Sequence, residues 1–413
     1  MLSALETGVK GGKWFRLVDK VYALRNLHAA FAKVKANGGA AGVDNQTIEM
    51  FEQHLEANLE KRARSLKDGS YRPKAVRRVW IPKPGGSEKR PLGIPAVCDR
   101  VVQAALRSVL EPIFEREFHE RSYGFRPKRG CKDALRQVDA LIKRGHTWVV
   151  DADLKSFFDT IPHAPLMARV EERVADGQVL KLVEAFLKQG VLETGGIVEP
   201  EEGSPQGAVI SPLLANIYLN PLDHLMAAGG YEMVRYADDF VVLCRSEEEA
   251  RQALEQVRQW TAQAGLMLHS EKTRIVKIAG PEDKGPGDGV DFLGYRFERD
   301  KIKPREKSLK KFKDTVREAT PRKSGQSLSA IITELNAKLR GWFEYYKHSC
   351  RETFARLDGW IRMRLRTILR KRQKQRGIGK GESHFRWPNA YFAEHGLYSL
   401  NAAHVTARQS CKR

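Results

Sequence analysis

Near the middle of the chain two apolar runs flank a polar step. Met233 and Val234 stand on one side and Phe240, Val241, Val242 and Leu243 on the other, with Tyr236, Ala237, Asp238 and Asp239 between them. Short apolar runs of this kind, broken by turn-forming residues, predict a buried hairpin. Another run, Trp148, Val149 and Val150, leads into Asp151, Ala152 and Asp153 and predicts a buried strand ending in acids. After the hairpin the period changes. Ser246 with Glu249 has capping-box spacing and opens a helix through Leu254, Val257 and Trp260 that stops at Gly265. Ser211 as cap, with Pro212 in the first turn, starts a helix whose Leu213, Leu214 and Ile217 read as core. Farther on, Leu328, Ile331, Ile332, Leu335, Leu339 and Trp342 recur at helical spacing, as do Phe354, Leu357, Ile361, Leu365 and Ile368. Residues 1–70 read as helical, interrupted by a loop at Gly38, Gly39 and Gly42.

The acids change the picture from architecture to chemistry. Two adjacent carboxylates inside apolar sequence repel each other and pay for desolvation, unless a cation offsets both penalties. On the doublet alone, an ordinary polar turn reads the same way. Magnesium needs only one or two protein carboxylates, because water and substrate phosphates complete its shell. If the strand ending in Asp153 lies beside the hairpin, Asp153 and Asp238 can share two metal ions roughly 3.5 to 4 Å apart, the spacing used for in-line phosphoryl transfer. Asp239 is then an auxiliary ligand or a structural acid, and Asp151 and Asp159 cap or pair with nearby bases.

Taken in order, these segments resemble a family. Asp153 with Phe158 five residues on, then Gly203, Ser204, Pro205, Gln206 and Gly207, then the Tyr-Ala-Asp-Asp turn, are similar to the palm motifs of a reverse transcriptase. Ile81 to Pro84 with Arg90 to Pro95, Ser122 to Pro127, Ser211 to Asn216, and Phe292 to Tyr295 narrow the resemblance to the group II intron-encoded type, over about residues 20 to 370. It implies an α+β fold: a right-hand-like polymerase with helical fingers, a palm built on an antiparallel sheet, and a helical thumb or maturase domain. The domains expected are residues 1–75 (N-terminal extension and start of the fingers), 76–300 (fingers and palm), 301–376 (thumb or maturase) and 377–413 (a basic tail).

The resemblance also implies roles. Asp153, Asp238 and Asp239 hold two Mg2+ ions, while Lys83 and Arg90, in a loop whose glycines let cations close on a triphosphate, contact the nucleotide. Gln206 touches the nucleotide or template base. Phe158 stands where an RNA-synthesising polymerase carries an Asp for the ribose hydroxyl, so the aromatic ring favours deoxynucleotides. Lys272 matches the position proposed to protonate the leaving pyrophosphate, although a plain surface lysine fits the same stretch. Phe292 to Tyr295 look like the segment that holds the primer terminus. Trp342, Tyr345 and Tyr346 lie in the thumb-like stretch, as base-stacking or core residues.

Charge divides the chain. Residues 301–413 carry 28 Lys and Arg against 9 Asp and Glu, which is +19 of the net +21. Nucleic-acid affinity is therefore expected in the last third. Arg362, Arg366, Arg370 and Lys374 step by four along one predicted helix, with no acid from Ile361 to Gly381, and read as a stripe that contacts RNA phosphates. The five cysteines form no Cys-x-x-Cys pair, which argues against zinc and against a disulfide framework. That pattern and the short tail resemble the bacterial class that lacks an endonuclease domain. No stretch approaches 18 apolar residues, and the N-terminus lacks a signal-peptide core, so a cytoplasmic, non-membrane protein is expected. The expected partners are group II intron RNA, an RNA template with a DNA or RNA primer, and deoxynucleoside triphosphates. The expected function is an RNA-directed DNA polymerase that binds its intron RNA and assists splicing. The alternatives are an RNA-binding maturase without significant polymerase activity and a host-adopted intron-like reverse transcriptase acting in DNA repair.

Overall fold

The computed structural model describes residues 12–82, 89–193, 195–278, 288–298, 301–378 and 381–410. It divides into two compact units, Met1–Val276 and Lys277–Arg413. In the first unit the helices Leu24–Asn37, Leu55–Lys67 and Val97–Glu115 pack through Leu27, Phe31, Leu59, Val101 and Leu106. Eight strands follow among the described residues: β1 (Val76–Pro82), β2 (Lys89–Ile94), β3 (Trp148–Asp153), β4 (Val191–Glu193), β5 (Gly196–Val198), β6 (Glu232–Tyr236), β7 (Asp239–Cys244) and β8 (Arg274–Lys277). They form two sheets, ordered β2-β1-β4-β5 and β6-β7-β3-β8.

The second sheet realises the expected hairpin and strand. β6 and β7 are antiparallel, and β3 runs antiparallel to β7 with Val150 opposite Val242, Ala152 opposite Phe240, and Asp153 opposite Asp239. Because strand side chains alternate, Val150, Ala152, Phe240 and Val242 enter the core on one face and Asp151, Asp153 and Asp239 keep to the other. The helices Ser211–Ala228 and Glu247–Gln263 contribute Leu214, Tyr218, Ala253 and Val257 to the same core. Ser246 caps the second of these as expected, its hydroxyl accepting from the Glu249 N–H at 3.1 Å. Ser211 does not cap the first. It is the first helical residue, and its hydroxyl bonds to Ser204 Oγ at 2.6 Å and donates to Pro205 O at 3.0 Å, tying down the loop that precedes the helix.

The second unit begins earlier than the 300/301 boundary read from the sequence. β9 (Val290–Phe292) pairs with β10 (Tyr295–Glu298), and β10 with β11 (Lys301–Pro304), into one small antiparallel sheet. Helices Glu306–Ala319, Leu328–Tyr346 and Arg351–Arg372 share a core that includes Phe312, Ile331, Leu335, Phe354 and Leu365. The segment expected as a tail belongs to this core too, since Trp387, Phe392 and Leu400 are buried in it and too apolar to stay in water. No helix among the described residues is long and apolar enough to cross a membrane.

Candidate active site

Three acids converge at one end of the second sheet. Asp153 closes β3, Asp238 lies in the two-residue turn between β6 and β7, and Asp239 opens β7 directly across from Asp153. Asp238 is half-buried, and its carboxyl is raised above the usual value, first by desolvation and then by the charge of Asp153. The Lys272 ammonium sits 2.5 Å from Asp153 Oδ2, and the His269 N–H donates to Asp153 O at 2.8 Å. Among the described residues no three His, Cys, Asp or Glu side chains form a metal cage by themselves. Two mutually repelling carboxylates at an accessible sheet end nevertheless fit a hard cation that takes its remaining oxygens from water and phosphate.

The turn is held by groups distant in sequence. Arg235 is 0% exposed. Its Nε donates to Asp223 Oδ1 at 2.8 Å and its Nη2 to Asp223 Oδ2, while Nη1 donates to Asn216 Oδ1 and to Ala237 O, both at 2.9 Å. Asn216 Nδ2 in turn donates to Gly124 O at 2.8 Å. Gly124 presses against the turn so closely that a Cβ there would lie 2.2 Å from the Ala237 nitrogen, so only glycine fits. Backbone bonds from Tyr123 N to Arg235 O and from Arg235 N to Arg121 O lay this segment along β6. None of these pairings is written in local sequence. The one available signal was an arginine inside an apolar strand, which must find a partner if it is buried.

A backbone clasp joins the segments that carry Phe158 and Gln206. Ser156 takes a left-handed conformation at the end of β3, and the short turn after it places Phe158 half-buried, edge-on to Phe157 at 5.4 Å. The Ser204 N–H donates to Phe158 O at 2.7 Å and the Gly203 N–H to Ile161 O at 2.8 Å. Gln206 Nε2 reaches Asp159 Oδ2 at 3.4 Å, and Gln206 O accepts from Gly93 N on β2 at 2.6 Å. Gly207, with φ +107°, lies so near that a Cβ would come within 2.4 Å of Gly93 O. Arg90 is exposed on β2, opposite Ile81, and Lys83 lies outside the described residues.

The stripe on Arg351–Arg372 is not the open phosphate-binding face expected of it. Arg366 is 1% exposed, donates to Trp387 O and Asn389 Oδ1 at 2.9 Å each, and lies 5.3 Å over the Phe392 ring. Arg370 donates to Ser383 Oγ and Arg376 O, and Arg362 stands 4.0 Å from Asp358 Oδ2. The segment 383–392 folds over Arg366 and Arg370, and Trp387 O, Asn389 Oδ1 and Ser383 Oγ accept from them where phosphate was expected. Lys374 remains exposed. Trp342 is stacked between Phe312 at 4.2 Å and Tyr346 at 4.7 Å, and Tyr345 Oη donates to Leu293 O, so these rings pack on one another.

Comparison with known proteins shows what the chain is similar to. The family described as reverse transcriptase (RNA-dependent DNA polymerase) matches residues 81–297, and the group II intron maturase-specific domain matches residues 309–386. The chain is 33% identical to protein YkfC of Escherichia coli K12 over 72% of its own length and 84% of that protein. It is 40% identical to the group II intron-encoded protein LtrA of Lactococcus lactis subsp. cremoris over 48% of its own length and 32% of LtrA. The solved structure of telomerase from Candida albicans covers 82% of the chain and 68% of its own, at 14% identity and a TM-score of 0.44.

Proposed function

The chain belongs to the reverse transcriptase family of RNA-dependent DNA polymerases and carries the group II intron maturase-specific domain, and on that footing we propose that it extends a DNA or RNA primer along an RNA template at the acids of β3, β6 and β7. The family's activity is metal-dependent nucleotidyl transfer, with RNA as partner. In our reading the metal is a pair of Mg2+ ions held by Asp153 and Asp238, with Asp239 as the auxiliary acid; when bound, they stabilise charge on the attacking and leaving oxygens.

The observation that carries the reading is the shared location of Asp153, Asp238 and Asp239 at one sheet end. The protein's own groups then divide the work. Phe158 fills the space beneath the sugar and disfavours a 2′-hydroxyl. Gln206, tethered at both its side chain and its carbonyl, orients the nucleotide or the template base. Arg90, with Lys83, meets the triphosphate. Lys272 releases Asp153 and donates a proton to the departing pyrophosphate. The second unit holds intron RNA through cations that remain exposed, such as Lys310, Lys311, Lys371 and Lys374.

The test is primer extension by Asp238→Ala on an RNA template, together with intron RNA binding. Loss of a metal clamp removes several kcal/mol of transition-state stabilisation, at about tenfold in rate per 1.36 kcal/mol. Extension should fall at least a hundredfold with RNA binding unchanged. A variant that keeps more than a few per cent of parental extension refutes the assignment.

A further inference from the structure

Arg235 and Asp223 form an ion pair that is 0% and 2% exposed. As a source of stability such a pair is poor, because two desolvated charges roughly cancel their own attraction and an apolar pair of equal volume serves as well. The geometry offers another reason for it. Of the guanidinium's donors, those facing Asp223 fix the plane of the group, and Nη1 is left for two acceptors, Asn216 Oδ1 and Ala237 O. Ala237 is the residue before Asp238 and has φ +60°, a left-handed conformation that non-glycine residues adopt only when their surroundings hold them there. Asn216 passes the same restraint to Gly124, whose backbone abuts the Ala237 nitrogen. The nitrogen and the carbonyl of Ala237, the residue that leads into Asp238, are thus both contacted by one buried network.

We propose that Arg235, oriented by Asp223 and linked through Asn216, is a positioning residue that locks the Ala237 turn and so aims the Asp238 carboxylate at the metal. This rests on the reading of Asp238 as a metal ligand. Lysine cannot replace it, since a single ammonium lacks the planar fork that reaches Asp223, Asn216 and Ala237 together.

The test pairs primer-extension kinetics with Mn2+ binding followed by electron paramagnetic resonance in the absence of nucleotide. The double variant Arg235→Met/Asp223→Leu removes both charges at similar volume, and Arg235→Lys keeps the charge without the fork. Both should lose kcat at least tenfold and weaken Mn2+ binding at least tenfold, with KM for the deoxynucleotide within about threefold. A folded double variant, or a folded Arg235→Lys, with kcat and Mn2+ affinity within twofold of the parent overturns the proposal. If neither folds, Asn216→Ala decides by the same criterion, because it keeps the ion pair and cuts the link to Gly124. Asp238→Asn is measured in parallel. Parental Mn2+ binding and extension in that variant sinks the metal reading itself, whereas loss there with no loss in the Arg235 variants sinks only the positioning role.

Discussion

Replacing Arg366 by Met should destabilise the protein without changing how it holds RNA. The substitution keeps an apolar stem and removes a guanidinium that donates to Trp387 O and Asn389 Oδ1 and lies over Phe392. Leaving a buried carbonyl unpaired costs about 1 to 3 kcal/mol, and the lost cation–π contact adds about 0.5 to 2 kcal/mol. A net loss of roughly 3 kcal/mol lowers the melting temperature on the order of 10 °C for a unit of this size. Thermal unfolding of the full chain followed by circular dichroism reads that shift. A salt titration of RNA binding, made well below the melting temperature, should keep the parental log-log slope. A melting temperature within 2 °C of the parent, together with a slope reduced by roughly 0.7 to 0.9, would put Arg366 on phosphate and refute the reasoning.

Phe158→Ala should raise the ratio of ribonucleotide to deoxynucleotide kcat/KM by roughly 5- to 150-fold, the equivalent of about 1 to 3 kcal/mol of relieved overpacking; single-nucleotide incorporation measures it, and an unchanged ratio would leave the ring as packing only. Lys272→Met should lower kcat for extension while changing stability by less than about 1 kcal/mol, because its pair with Asp153 is largely exposed; an unchanged kcat removes its role in proton transfer. Asp238→Asn should stabilise the metal-free protein at neutral pH, since burial and Asp153 raise the folded carboxyl above its ordinary value of 3.8 and make its ionised form costly. That advantage should fade as pH falls through the folded pKa toward 3.8, where both forms are neutral, and melting curves in chelator against pH would expose a constant offset if the reasoning is wrong.

The hairpin, the strand ending in Asp153 and the long helices of the second unit were legible because periods of 2 and 3.6 are local properties of a chain. The acids were legible for the same reason, standing at the ends of those strands. What escaped was partner choice. Ser211 reads as a cap by position, yet its hydroxyl serves Ser204 and Pro205. Arg366 reads as one of four stripe cations, yet a segment about twenty residues farther on folds over it. Spacing tells which face of a helix a side chain occupies, whereas only tertiary packing tells what covers that face.

The bracing of the Ala237 turn bears on the order in which the protein can be made. Gly124, Asn216 and Asp223 all precede Arg235 in the chain, as does β3 with Asp153. During synthesis from the N-terminus these partners emerge first. The buried partners of Arg235 are therefore already present when the turn emerges, and β7, which follows it, completes the hairpin and joins it to β3. Contacts of such wide sequence separation are slow to form when all parts of a chain compete at once. Refolding of the full-length chain from denaturant forfeits the head start that vectorial synthesis provides, and recovery of polymerase activity should lag behind recovery of helical signal.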